Sequence, residues 1–190
     1  MASRQRASFM FVALLLLPLA LSCGKGGKKA ENVPADTTGA DSTLSYVSEE
    51  VSFGVFFDAA GAQRTVKLGS RDRQTTIYII VKYPETMPIA AVEYRLVLPE
   101  GVKIENDVYY SQRAAVLGMF EHGISETFPC VPGPMLVLHT LTLSVPSGLK
   151  NAEIALLAHE NSEFIGVAEC EEGNPLVAAT SYKAVINPTE

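Results

Sequence analysis

The sequence predicts an all-β domain built from two packed sheets, and three observations carry that reading. From about Tyr46 onward, apolar residues alternate with polar ones at period two. Proline and glycine interrupt this alternation at short intervals. No long stretch repeats at the helical period. Successive side chains of a strand point to opposite sides of the backbone, so the pattern marks strands with one face buried. Short strands separated by turn residues, without intervening amphipathic helices, indicate a sandwich or barrel.

Ahead of that domain stands an export leader, residues 1–22. Arg4 and Arg6 form a positive start, and an apolar run follows from Phe9 to Leu21, broken only by Pro18. Those 13 residues fall short of the about 20 needed to cross a bilayer as a helix. They suit the apolar region of a secretion signal. The run closes in Leu19-Ala20-Leu21-Ser22-Cys23. This resembles the bacterial lipobox, in which small or aliphatic residues precede a cysteine that receives a diacylglyceryl thioether. Ala20 and Leu21 stand in the order of the looser form of that pattern. The resemblance implies lipidation at Cys23 and localisation in the cell envelope, anchored to a lipid bilayer outside the cytoplasm. Gly24 stands where some families carry the aspartate of inner-membrane retention, so the resemblance points to the outer membrane in an organism that has one. The alternative is a plain secretory signal in which Cys23 is incidental.

Residues 23–45 read as a disordered tether. They are rich in Gly, Ser, Thr, Asp and Lys, show no apolar period, and bury too little to offset the entropy of ordering. A flexible coil of this length spans on the order of 25 Å between its ends. Lys25, Lys28 and Lys29 lie beside the lipid site, where basic residues favour anionic headgroups. The whole chain carries a net charge of −6, and loss of Arg4 and Arg6 with the leader takes it to −8. A surface of that sign repels phosphate backbones, which argues against nucleic acid as a partner.

The folded domain is expected over residues 46–190. Ile77, Ile79, Val81 and Tyr83 share one face of a strand over 76–83. Val92, Tyr94, Leu96 and Leu98 face one way over 91–98, with Glu93 and Arg95 opposite. Val137, Leu141, Leu143 and Val145 alternate with Thr140, Thr142 and Ser144. The same habit continues at Ile154, Leu156 and Ala158, and at Tyr182, Ala184 and Ile186. Turns are expected at Gly69-Ser70, Pro84, Pro88, Pro99-Glu100-Gly101, Pro132-Gly133-Pro134, Pro146-Ser147-Gly148 and Gly173-Asn174-Pro175, where Gly supplies positive φ and Pro locks φ at about −65°. Gln112 to Phe120 contains good helix formers and predicts one or two helical turns.

Two stretches resemble a known family. Ile89 to Val102 reads Ile-Ala-Ala-Val-Glu-Tyr-Arg-Leu-Val-Leu-Pro-Glu-Gly-Val, similar to the strand of cohesin-like domains that ends in a Pro-x-Gly-Val corner. Gly133 to Val145, followed by Gly148 and Ile154, resembles the later Gly…Leu…Leu-Thr-Leu-x-Val…Gly…Ile stretch of those domains. Phe53 to Gly61 is similar to the opening segment of related secreted immunoglobulin-like sandwiches. The resemblance spans most of residues 50–187 and implies an immunoglobulin-like or cohesin-like jelly-roll β-sandwich. It does not extend to the residues through which cohesins contact dockerins, so it implies the fold and not that partner.

With Cys23 assigned to lipid, Cys130 and Cys170 remain. In an oxidising compartment an even pair suits a disulfide. The alternative is a reactive thiol, but no basic residue adjoins either cysteine in sequence, and Glu169 and Glu171 flank Cys170, which raises a thiol pKa. His122, His139 and His159 are widely separated and none stands at metal-ligand spacing. His139 falls in phase with Val137 and Leu141, as a half-buried sheet residue, and His159 sits at the solvent end of a strand. Glu169, Glu171 and Glu172 beside Asn174 offer oxygen ligands for calcium, but without the spaced pattern of calcium loops they read as a solvated acidic turn. No nucleophile elbow, phosphate loop or dinucleotide fingerprint is present, and no cofactor is expected.

These features predict an anchored, non-enzymatic module that binds or scaffolds protein or carbohydrate. The competing expectation is a small hydrolase working through two carboxylates in a cleft, and a third is a purely structural envelope subunit. Tyr109, Tyr110 and Phe120 lie in the less regular middle segment. A packing role is favoured for them over a binding surface.

Overall fold

The computed structural model describes residues 47–69 and 71–189. The expected leader, tether and lipidation site at Cys23 lie outside the described residues. The first strands are β1 (Val47–Phe56), β2 (Thr65–Val66), β3 (Gln74–Lys82) and β4 (Ile89–Val97). The middle of the chain forms β5 (Lys103–Tyr109), β6 (Ala115–Met119), β7 (Gly123–Val131) and β8 (Met135–Ser144). The last four are β9 (Ala152–Leu157), β10 (Gly166–Glu169), β11 (Leu176–Tyr182) and β12 (Ala184–Ile186). No helix occurs among the described residues.

One layer runs in the order β5-β8-β3-β1-β11, and the facing layer runs β10-β4-β7-β6. A β10–β11 pairing joins them along one side. Beyond Tyr94, strand β4 passes from β10 to β9, pairing Arg95 with Leu157 and Val97 with Ala155. Strand β9 pairs with β12, which pairs in parallel with the short β2. The layers meet through the rings of Phe53 on β1 and Tyr94 on β4, edge to face with centroids 4.8 Å apart. Around them Val51, Val55, Ile77, Ile79, Val92, Leu96, Leu141, Leu143, Ile154 and Val167 are buried. Each such aliphatic side chain contributes about 1.5–3 kcal/mol by leaving water.

The expected strands over 76–83, 91–98 and 136–145 are present within a residue or two, and the proline–glycine stretches fall between strands. At the Pro99–Val102 corner the Val102 amide donates to the Pro99 carbonyl at 3.1 Å. Gly101 takes φ +79° there, the backbone such a turn requires at its third position.

Five expectations are corrected. Gln112 to Phe120 is not helical: Ala115–Met119 pairs with Gly123–Val131 as a hairpin. Gly118, at φ +88°, fits that hairpin and not a helix. Cross-strand pairing here overrides local helix preference. In β8, the pairing steps from Ile79–His139 to Ile80–Val137 and skips Leu138. This bulge turns Leu136, Leu138 and His139 inward together and leaves Val137 half-buried on the other side. His139 is therefore wholly enclosed instead of half-buried. The run ending in Ile186 is two strands: β11 stays with β1 and β10, while β12 joins β9, and the chain changes partners at Lys183. Strand β9 ends at Leu157, so Ala158 is already in the following loop. Finally, Tyr110 and Phe120 pack against the core, but Tyr109 is half exposed, with the Arg113 guanidinium 3.8 Å above its ring.

Candidate functional site

Strand register places one row of residues straight across the outer face of the β10-β4-β7-β6 layer. Leu117 of β6 pairs with Ser125 of β7, Ser125 with Glu93 of β4, and Glu93 with Gly166 of β10. The neighbouring row runs Ala115, Thr127, Ala91, Ala168 and Leu176, the last on β11. Paired residues share a face, so this surface follows from the alternation that sends Val92, Tyr94 and Leu96 into the core. Its two flanks are apolar and open: Leu117 and Met119 on one side are 73% and 60% exposed, and Leu176 on the other is 61% exposed. Strand β6 pairs on one edge only among the described residues.

The loop over residues 158–165 crosses this face and shapes it. His159 lies against Gly123, where even a β-carbon would collide with the imidazole. The Glu160 amide donates to the His122 carbonyl at 3.2 Å. The Glu160 carboxylate lies 3.2 Å from His122 Nδ1 and 3.6 Å from the Arg95 guanidinium. All three groups are partly in water, so the cluster orders the loop more than it stabilises the fold.

Beside the loop is a recess of about 290 Å³ lined by Glu93, Ser162, Glu163, Phe164, Gly166 and Leu176. Glu93 accepts hydrogen bonds from Ser125 Oγ at 2.8 Å and from Ser162 Oγ. Burial pushes its carboxyl pKa up, but those two hydroxyls and the charge of His159 outweigh burial and hold it below the usual carboxylate range. It is therefore anionic at neutral pH. Gly166 leaves the floor open: a β-carbon there would lie 3.8–3.9 Å from Glu93, Leu176 and Phe164.

A second polar constellation lies inside the sandwich. His139 of β8 has Nδ1 2.7 Å from Asp107 Oδ1 and Nε2 2.8 Å from Glu126 Oε1. Glu126 also accepts from the Tyr94 hydroxyl at 3.0 Å and from Arg113 at 3.2 Å. For His139, burial favours the neutral ring, but Glu126 and then Asp107 outweigh it and raise the imidazole pKa. For Glu126, burial favours the neutral acid, but His139, Arg113 and Tyr94 outweigh it and lower its pKa. Burial and the adjacent carboxylate push the Tyr94 phenol well up. A carboxylate against each imidazole nitrogen favours the doubly protonated ring, in which both nitrogens donate. Glu126 is sealed from solvent. This constellation clamps β8 to β7 across the core, with its Asp107 end partly in solvent.

Cys130 and Cys170 are joined in a disulfide, with Cα atoms 5.8 Å apart. Strands β7 and β10 flank β4, so their ends can approach this closely only where β4 has not yet begun. The Cys170 amide donates to Pro88, one residue before β4. Among the described residues, no group of three or more His, Cys, Asp or Glu could hold a metal ion. Of the features now visible, the sequence reading placed Glu93 outward and paired the cysteines. It missed the exposed Leu117 and Met119, read as helical, and the recess around Gly166, whose walls come from a loop without periodicity.

No family model and no curated protein matches the chain. Solved structures do. A cohesin in complex with a dockerin variant at pH 5.5 superposes with a TM-score of 0.50 at 14% identity, over 73% of this chain and 99% of that one. The third ScaB cohesin of R. flavefaciens, in complex with a group 1 dockerin, gives 0.50 at 14% identity, over 74% and 96%. The cohesin module of a Clostridium perfringens family 33 glycoside hydrolase gives 0.50 at 10% identity, over 73% and 99%. By superposition, the described residues form a cohesin-like β-sandwich.

Proposed function

We propose that this chain is a protein-binding, scaffolding module held at the cell envelope by a lipid on Cys23. The observation that carries the binding role is the outer face of the β10-β4-β7-β6 layer. It sets exposed Leu117 and Met119 on one flank and exposed Leu176 on the other, around a charged and hydroxyl-bearing centre. Large apolar side chains held exposed on one face of a domain mark association surfaces, and the polar strip between the two apolar flanks offers hydrogen bonds that fix a partner's register. Protein is favoured over carbohydrate because the paired strands present Ala, Leu, Met, Ser, Thr and Glu outward and no aromatic platform for sugar rings. Cohesins of the same fold were solved with a dockerin bound, which supports a protein ligand without naming it. The leader, lipobox and polar tether support export and anchoring, with the tether giving the domain reach away from the bilayer.

The test is site-specific photo-crosslinking of the full chain in its native envelope. A crosslinker at Leu117 is expected to yield a discrete protein adduct. One at Asn106, exposed on the opposite layer, is expected to yield none. No adduct from Leu117, or the same adducts from both positions, would defeat the proposal.

A further inference from the structure

The recess around Gly166 has a chemistry of its own. Its floor is anionic: Glu93 sits there with two hydroxyls donating to it, and among the described residues the charge acting on it is that of nearby His159, with no Lys or Arg in an ion pair with it. A carboxylate offers about four lone-pair directions, so two remain beyond those taken by Ser125 and Ser162. Its walls are apolar: the Phe164 ring and the Leu176 side chain both border the place where Gly166 lacks a side chain. Glu163 adds a second, exposed carboxylate at the rim. A hydrocarbon stem between apolar walls with a positive head on a carboxylate is how long basic side chains bury themselves. An uncharged apolar group would desolvate Glu93 further without adding to the charge of His159, and an acidic one would meet like charge.

Resting on the proposed protein-binding role of this face, we propose that the recess takes one basic side chain, arginine or lysine, of the partner protein. The aliphatic stem lies between Phe164 and Leu176 and the charged head meets Glu93. The partner's contact surface is accordingly basic at this point and apolar where it meets Leu117 and Met119. Neighbouring Arg95 does not fill this role, because its guanidinium is turned to Glu160.

The inference is tested without knowing the partner, so it stands or falls apart from the crosslinking result. Amide NMR spectra of the detergent-solubilised full chain are followed on addition of Nα-acetyl-arginine amide, Nα-acetyl-lysine amide and, as the neutral control, Nα-acetyl-norleucine amide at constant ionic strength. The two basic probes are expected to shift the Gly166, Phe164 and Leu176 amides saturably, with at least tenfold weaker response to norleucine. Glu93→Gln is expected to abolish the basic-probe response. Gly166→Val, which fills the floor and leaves Glu93 charged, is expected to do the same. A norleucine response equal to the basic ones, basic-probe shifts retained in both variants, or no saturable shift in the wild-type chain would each overturn the proposal. The undisturbed remainder of each variant's spectrum shows that it folds.

Discussion

His139 Nε2 lies 2.8 Å from Glu126 Oε1 in a pair enclosed on all sides, and this contact joins β8 of one layer to β7 of the other. Removing one member leaves the other's buried charge to its remaining partner, Asp107 for His139 or Arg113 for Glu126, at a cost of up to about 3–5 kcal/mol. Glu126→Ala is expected to lose stability in that range, read as a lower urea midpoint with an unchanged slope. Glu126→Gln retains the shape and an acceptor for Tyr94, so its loss is expected to be smaller. Equal stability of Glu126→Ala and the wild type would remove the pair from any account of what holds the layers together.

The same pair sets a pH window for stability. His139 has its pKa raised above the ordinary 6.5 by the fold. Its contribution is therefore complete below that value and is lost as pH rises through the higher folded one. Glu126 is lowered from the ordinary 4.5, so its contribution is present above 4.5 and is lost as pH falls through the folded value. The groups facing this pair are Asp107, Arg113 and Tyr94, and Tyr94, raised far above 10, stays neutral throughout the window. Melting temperature is expected to peak between about 4.5 and 6.5 and to decline on both sides. In Glu126→Gln the decline toward alkaline pH should be shallower. A melting temperature that rises steadily from pH 5 to 8 would show that the imidazole is not held as a cation.

How much of this was legible in the sequence follows from the range of each interaction. Alternation over 91–98 reports a one-sided burial that is local to the strand, so the outward Glu93 and the inward Tyr94 were both readable. The bulge at Leu138 was not, since it arises from how β8 meets Ile79 and Ile80 on β3. One skipped residue reverses every inward assignment before it. Met119 and Leu117 belong to a segment of helix-forming residues whose strand state depends on β7. The recess needs four separate pieces of chain, β4, β10, β11 and the loop carrying Phe164, and no pattern within any one of them announces it. The disulfide was readable because compartment and an even count, rather than geometry, decided it.

Gly123 is a point where the loop that shapes the face depends on one absent atom. Its φ is +133° and a β-carbon would fall within 2.1 Å of the His159 ring. Gly123→Ala therefore strains the backbone and expels the imidazole, with an expected loss of about 1–3 kcal/mol. Because Ser162 and Phe164 follow His159 in the same loop, their amide resonances are expected to shift in the variant as well. A spectrum changed only at residue 123 and its immediate neighbours would mean that the loop holds its place without this contact.

The proposed anchoring at Cys23 makes a separate prediction, because a thioether to lipid requires the sulfur. Cys23→Ser is expected to move the chain from the membrane fraction to the soluble one. The wild-type protein should carry the added mass of its acyl groups, and the variant should not. A serine variant still pelleting with membranes would assign retention to something other than the amino terminus.

The Cys130–Cys170 bridge closes a loop of 40 residues of separation, which on the chain-entropy account stabilises the fold by about 3–4 kcal/mol. Its place makes the expected effect local as well as global. Cys130 lies in β7 and Cys170 directly follows β10, the two strands that flank β4 and carry the proposed binding face between them. With both cysteines replaced by serine, thermal stability is expected to fall. Amide hydrogen exchange is expected to quicken first in β10 and around Pro88, whose carbonyl receives the Cys170 amide, while β3 and β8 in the facing layer stay protected. Alkylation of the unreduced wild-type chain should add nothing at either cysteine, and after reduction two groups. Uniform loss of protection across both layers would show that the bridge acts only on the unfolded chain and does nothing to hold the binding face in register.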